Sequence, residues 1–483
     1  MSASVAAPAV VRAGGRLTDD VFFLTAAGLG PLIRRREISP VELTLGYLER
    51  IERTRTRFNA WAHVLAEEAI VEARAAEAEI ARGRYRGPLH GIPYGAKDLL
   101  AVRGATTTWG AAPCAHQRFD FDATVVRRLR EAGAILLGKL AMVEFAGCLG
   151  YRYPDSSLQG PGRNPWNPER WTGGSSSGAG AAVAAGEVVF GIGTETWGSI
   201  LCPSAFCGVT GLRPTYGRVS RFGGMVGSWT FDKIGPLTRS AADARLVLSA
   251  IAGPDPDDPS AAHETVSLAP RRRAPRDLKV ALVPLDFAKT KGAEAEVGQR
   301  FDEAVTELTA LGLRPEKAAL PDFPATEVAS VLITAEALST FENFYRDGSV
   351  RQLRDPFAPW QPEINQAMTG ADVMKAWRMR RVLQEKMVEF FEHWDVIVTP
   401  NFMSVAPSVD LDLYQTLPYP DPAGAIGNAC GLPAIALPCG FGRDRLPAGF
   451  QIMAAPWEEA TLLDLGEAYQ RRTDFHRRRP RIA

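Results

Sequence analysis

Residues 171 to 199, "WTGGSSSGAGAAVAAGEVVFGIGTETWGS", constrain the fold more than any other stretch. Between Gly178 and Ala185 the chain is Ala and Gly with a single Val, which fits a closely packed helix stopped at Gly186. "EVVFGI" then reads as an apolar strand, and "GTETWGSI" as the turn leading out of it. Glu187 breaks the small and apolar stretch Gly178 to Gly193, which argues against a membrane span. Ahead of the helix stand Ser175, Ser176 and Ser177 between glycine pairs. Glycine permits sharp turns and close backbone approach, and serine adds a hydroxyl with almost no bulk. That composition suits a reactive site, and it also suits a flexible linker.

The flanking sequence alternates helices and strands. "ISPVELTLGYLERIER" predicts an amphipathic helix with Ser39 as N-cap, Pro40 at its first position and Glu42 three residues after the cap. Val41, Leu45, Leu48 and Ile51 form its expected apolar face. A second helix is expected from about Leu65 to Arg82, closed by Gly83. "ATVVRRLREAGAILLGKL" reads as helix, Gly133 and a buried strand around Ile135 to Leu137. This rhythm predicts an α/β chain with helices layered on a mostly parallel sheet. "GPDPDDPS" from Gly253 is expected to be a surface connector with a solvated acidic cluster, while "DLKVALVP", "DVIVTP" and "GLPAIALPCG" read as strands. Val297, Phe301, Val305, Leu308 and Leu311 repeat at helical spacing, and residues from about 295 to 395 read as largely helical. In that segment Met379, Leu383, Met387 and Phe390 are in register as packing residues.

Composition excludes several function classes. The 483 residues carry 55 basic and 55 acidic side chains, so no global charge draws nucleic acid or an anionic membrane to the chain. The basic runs "RRRAPR" from Arg271 and "HRRRPR" from His476 lack interleaved aromatic platforms and are expected to be solvated. Six cysteines include no C-x-x-C pair and six histidines no H-x-x-x-H pair, so neither a disulfide scaffold nor a metal site is expected. The N-terminus has no secretory pattern, and a reducing cytoplasm is the expected compartment.

Gly174 to Gly178 formally satisfies G-x-S-x-G, the nucleophile elbow of α/β-hydrolases, but the preceding "GRNPWNPERWT" has two prolines and no strand alternation. A second glycine-flanked serine, Ser199, lies in "GTETWGSI", and Lys97 interrupts the small, apolar "LHGIPYGAKDLL". Together they suggest a serine nucleophile with a lysine base. Lysine can serve so only if burial or nearby cations hold it neutral.

Through the ordered blocks "SPVELTLGYLERIER", "GPLHGIPYGAKD", "GGSSSGAGAAVAAG", "GTETWGSILCPSAFCGVTGLRPTYGRVS", "DKIGPLTRSAADA", "GLPAIALPCG" and "LPAGFQIM", the chain resembles the amidase signature hydrolases. The resemblance implies an α/β amidase signature fold: a large, mostly parallel, twisted mixed sheet covered by helices on both faces, with a helical insertion or lid at about 295–395. One domain over 21–475 is expected, with a flexible N-terminus at 1–20 and a basic C-terminal end at 476–483. The resemblance implies a Ser-cisSer-Lys triad in which Ser199 is the nucleophile, Ser175, after a cis bond from Gly174, the bridging serine, and Lys97 the base. Gly174, Ser176 and Thr194 support it, and the backbone N–H groups of Thr196, Trp197, Gly198 and Ser199 form the oxyanion hole. Trp109, Met142, Phe145 and Trp197 are the substrate-pocket candidates. No cofactor and no metal are implied.

Four positions depart from the family pattern. Trp197 and Ser177 stand where glycine is usual, Leu201 replaces a common arginine, and Ala179 replaces a frequent polar residue. An ion pair from position 201 to an acid such as Glu195 is therefore expected to be absent. The resemblance implies a hydrolase of linear amides, either acylamides or anilides, with carbamates (urethanes) and esters as related substrates. Its expected partner is a small amide-like molecule, with neither nucleic acid nor membrane, in a monomer or homodimer. The alternatives are a glutamine-hydrolysing A-type subunit of a tRNA-dependent amidotransferase, and a catalytically silent small-molecule-binding protein on the same scaffold.

Overall fold

The computed structural model describes residues 12–13, 16–150, 152–264, 267–271, 273–416 and 421–482. Eleven strands form its main sheet: β1 (Trp61–Val64), β2 (Pro93–Lys97), β3 (Ile135–Leu140), β4 (Phe190–Glu195), β5 (Thr210–Arg213), β6 (Lys233–Thr238), β7 (Lys279–Leu282), β8 (Arg314–Lys317), β9 (Val396–Pro400), β10 (Ala434–Phe441) and β11 (Pro447–Ala454). Their spatial order is β8-β7-β9-β11-β10-β5-β6-β4-β2-β3-β1. Parallel pairs lie toward the two ends, β8-β7-β9 and β4-β2-β3, and antiparallel pairs join them through the centre. Helices cover this mixed sheet on both faces, as expected.

The helices used below are α1 (Pro40–Phe58), α2 (Ala66–Ala81), α3 (Thr124–Glu131), α4 (Ser177–Ala184), α5 (Leu201–Cys207), α6 (Ala241–Ile251), α7 (Ala295–Ala310), α8 (Ala325–Thr340) and α9 (Gly370–His393). Helix α4 is the small-residue helix, and all eight of its residues are buried. A Cβ at Gly178 would stand 2.2 Å from Ala60 O and 2.5 Å from Ala141 N. Only glycine lets the start of the helix come so close to these backbones. The chain therefore enters α4 in a fixed position, which sets the three serines before and at its start.

Helix α1 starts as expected, with Ser39 Oγ accepting from Val41 N and Glu42 N at 3.0 and 3.2 Å. Its inward face differs from the expected one. Leu45 is 48 % exposed, whereas Leu43, Tyr47, Arg50 and Ile51 are buried. The guanidinium of Arg50 donates to Ala185 O at 3.0 and 2.9 Å and lies over Phe23, so a charged side chain takes a core position. Helices α2 and α3 and strand β3 follow the expected pattern, and β3 runs on to Leu140. Strand β4 also extends past the expected end, so "GTE" is strand and only the residues after Glu195 form the turn.

Other expectations are corrected. In "GRNPWNPERWT" the strands Arg163–Asn164 and Asn167–Trp171 pair as a small hairpin outside the main sheet. Asn164 pins it by donating to Phe206 O at 2.8 Å and accepting from Trp166 N at 3.1 Å. In "GPDPDDPS", Asp255 and Asp258 are buried rather than solvated. Asp255 accepts from Thr124 Oγ1 and Ser220 Oγ, both at 2.5 Å, and Asp258 from Arg221 N at 2.6 Å. Within 295–395, α7 packs on β10 and β11 and β8 is a sheet edge, so the covering helical layer begins only at α8. Of the expected flexible segment 1–20, residues 1–11, 14 and 15 lie outside the described residues, while Asp19–Phe23 forms a 3-10 turn with Val21 and Phe22 buried. At the basic C-terminal end Ala483 lies outside the described residues, and Arg479 pairs with Asp20 at 2.5 Å. Arg272 of the other basic run also lies outside them, while Arg273 pairs with Asp395 at 2.6 Å.

Candidate active site

Lys97 is the last residue of β2, which pairs in parallel with β4 through Tyr94 with Phe190 and Ala96 with Ile192. That register puts the lysine beside the end of β4, where Thr194 and Glu195 precede the turn carrying Ser199. The cis peptide bond Gly174–Ser175 lies just before α4. Lys97 is fully buried, and its Nζ donates to Ser175 Oγ at 2.8 Å and to Thr194 Oγ1 at 2.9 Å. Burial, opposed by the carboxylates of Asp232 and Glu195, pulls the lysine from its ordinary 10.5 down to about 7.

Ser175 and Ser176 are both fully buried. Ser176 Oγ donates to Thr194 O at 3.2 Å and accepts from Thr194 N at 3.3 Å, and its own N–H donates to Ser199 O at 3.3 Å. Ser176 thus ties the serine run to both the end of β4 and the turn. Ser199 is 5 % exposed. Ser177 Oγ donates to Ala141 O at 3.3 Å at the start of α4, away from the lysine's contacts.

The turn 196–199 leads into α5. Gly198 has φ +81°, a left-handed conformation that favours glycine. Among the described residues, the backbone N–H groups of Thr196, Trp197, Gly198 and Ser199 donate to no protein acceptor. Thr196 Oγ1 donates to Asp232 Oδ1 at 2.5 Å, and Lys233 Nζ reaches Thr196 O at 3.5 Å. Glu195 Oε2 accepts from Ile200 N and Leu201 N at 2.9 and 3.1 Å, so a carboxylate meets the start of α5. The other oxygen pairs with Arg213 of β5 at 2.8 Å, both side chains being fully buried. Position 201 contributes no such pair, as expected, but Glu195 keeps a partner from the sheet. Burial would raise the Glu195 carboxyl, and Arg213 with Lys233 overcomes this and holds it below its ordinary value.

Trp109 and Phe145 lie with ring centroids 6.3 Å apart, and Phe145 packs on Phe341 and Phe344 at 4.6 and 4.9 Å. Met142 is fully buried beside Gly110, where a Cβ would meet Met142 O at 2.7 Å. Trp197 is half-buried, its indole Nε1 2.8 Å from where a Cβ on Gly424 would stand. Among the described residues no cluster could hold a metal ion, and no helix is long and apolar enough to cross a membrane. Sequence reasoning missed Arg213, Asp232 and Lys233, although "DKIGPLTRS" contains two of them in a recognised block.

Comparisons place the chain among known proteins. A family model described as Amidase matches residues 42–463. The A-type subunit of glutamyl-tRNA(Gln) amidotransferase from Moorella thermoacetica is 39 % identical, over 96 % of this chain and 99 % of that one. A putative amidase, AmiD, of Mycobacterium tuberculosis is 37 % identical, over 97 % of this chain and 98 % of that one. Among solved structures, the native peptide amidase of Stenotrophomonas maltophilia superposes with a TM-score of 0.79 at 30 % identity, covering 93 % of this chain and 96 % of that one.

Proposed function

We propose that this chain, which belongs to the amidase family, cleaves the C–N bond of a linear amide by passing the acyl group through Ser199. The observation that carries the reading is the buried Lys97, lowered to about 7 and bonded to Ser175 at 2.8 Å. A lysine in that state is a base near neutral pH. In this mechanism neutral Lys97 takes the Ser175 proton as Ser175 takes the Ser199 proton, and Ser199 Oγ attacks the carbonyl carbon. The N–H groups of residues 196–199 receive the oxyanion. Each such donor contributes about 100-fold to 1000-fold in rate. The C–N bond breaks as the amine leaves with the proton returned through Ser175. Water, deprotonated through the same relay, then releases the acid and regenerates Ser199.

An apolar or aryl amide is the substrate class we favour, because the half-buried indole of Trp197 sits within the turn assigned to the oxyanion. Carbamates and esters fit the same chemistry. A second reading is glutamine hydrolysis within a tRNA-dependent amidotransferase, and the 39 % identity to a component of such an enzyme favours it. In the first reading the partner is a small molecule bound by a monomer or homodimer, and in the second tRNA and further subunits enter.

A serine-directed fluorophosphonate followed by peptide mass spectrometry tests the nucleophile, with adduct expected on Ser199 and none in Ser199→Ala. Adduct elsewhere, or full turnover by Ser199→Ala, refutes the mechanism. A panel of anilide, primary amide, ester, carbamate and glutamine substrates then separates the readings. Turnover of anilides by the chain alone supports the first, and glutaminase activity as the sole turnover supports the second.

A further inference from the structure

The helical layer meets the loop 227–232, which in turn reaches the turn 196–199. Glu336 of α8 spends both carboxylate oxygens on that loop: Oε2 accepts from Ser228 Oγ at 2.5 Å and Thr230 N at 3.2 Å, and Oε1 accepts from Thr230 Oγ1 at 2.8 Å. Arg380 of α9, buried, donates to Thr230 Oγ1 at 2.7 Å and to Thr230 O at 2.9 Å, and lies 4.4 Å over the Phe231 ring. Both helices therefore grip the same residue, Thr230. Two positions on, Asp232 closes the loop by accepting from Gly227 N at 2.8 Å and Ser228 N at 3.0 Å with one oxygen. Its other oxygen takes the Thr196 hydroxyl. The N–H of Thr196 is one of the four unpartnered donors, and its direction follows the orientation of that residue.

We infer that Glu336 is a positioning residue for the oxyanion turn, acting from α8 through Ser228, Thr230 and Asp232 on Thr196. The inference rests on the proposed function, because the turn it positions is the one assigned to the oxyanion. A carboxylate holds three donors of a loop more firmly than a neutral amide, since hydrogen bonds to a charged acceptor are about twice as strong. Loosening the loop frees Asp232 to shift, and Thr196 turns with it. An oxyanion donor that is misdirected weakens the transition state more than the bound substrate, so the effect falls on kcat.

The test compares Glu336→Gln, Thr196→Val and the double variant in the full chain, with melting temperature, kcat and KM for an anilide, and the rate of fluorophosphonate labelling of Ser199. Each single variant is expected to lower kcat and labelling about tenfold with KM within about twofold, and the double variant to lose about tenfold rather than about a hundredfold, because both cut one linkage. Thr196→Ser, which keeps the hydroxyl, is expected to recover most of the loss seen in Thr196→Val. Ser228→Ala, which removes a single bond to Glu336, takes the place of Glu336→Gln should that variant not fold, and the same kcat-only loss is expected. Unchanged kcat in a folded variant, a loss confined to KM, or fully additive losses overturns the inference. Failure of the wild-type chain to label at Ser199 overturns the proposed function instead, and the two failures are thereby told apart.

Discussion

The lysine predicts two pH dependences that can be measured on the same protein. With Lys97 lowered to about 7, the fraction of free base rises from about one-tenth at pH 6 to about nine-tenths at pH 8. Acylation, read as kcat/KM for an anilide or as fluorophosphonate labelling, should therefore rise about tenfold over that interval and level off above it. A lysine at its ordinary 10.5 would instead give about a hundredfold rise from pH 6 to 8 and no plateau before pH 10. The same shift acts on stability, with a definite sign. Between the folded and unfolded values the unfolded chain binds the proton and the folded chain does not, so stability rises with pH from about 7 toward 10.5. Below the folded value both states are protonated, and the cost of the buried charge is fully present. From pH 7 to pH 9 this one group contributes a gain of about 2 kcal/mol. Lys97→Met removes it, so the variant-minus-wild-type urea unfolding free energy should fall by that amount over the same interval. A rate that is flat from pH 5 to 9, or that climbs without a plateau, refutes the lowered lysine. A variant-minus-wild-type stability difference that does not change with pH refutes it independently.

Three further outcomes are expected. Arg213→Met leaves the fully buried Glu195 carboxylate without its partner, and urea denaturation should show a loss of about 3 to 5 kcal/mol, whereas a loss under about 1 kcal/mol would count against the pair's importance. Gly178→Ala drives a methyl against Ala60 O and Ala141 N, and a loss of at least about 1 to 3 kcal/mol in the same assay is expected, with wild-type stability showing that the backbones give way. Dialysis against EDTA should leave turnover unchanged, and inactivation reversed by added zinc would reject the metal-free mechanism.

The elements that announced themselves in the sequence are those whose signals are local. Ser39 before Pro40, Gly83 after α2 and the small residues of α4 state their own conformations, and the structure follows them. Lys97 stood out because a lysine in an apolar strand is costly to bury without a partner, and the structure sets its Nζ 2.8 Å from Ser175 Oγ, while the roles of Ser175 and Ser199 were legible only through the family resemblance. What stayed hidden depends on partners far along the chain. Arg50 reads as surface until Ala185, 135 residues away, presents a carbonyl to it. Glu336 meets Ser228 across 108 residues, and no spacing rule connects a helix to a loop at that distance. Asp255 looks like part of a solvated acidic run because the hydroxyls of Thr124 and Ser220 that bury it lie in other elements.

The salt link behind helix α5 has a practical corollary. Its positive half comes from β5, so position 201 carries no electrostatic duty and answers to shape alone. Leu201 is 1 % exposed, and the neighbouring N–H groups are already satisfied by Glu195. A library at 201 confined to valine, isoleucine and methionine would vary the packing behind the turn without disturbing this charge balance, whereas an aromatic ring there would have to displace packed neighbours at about 1 to 3 kcal/mol or more.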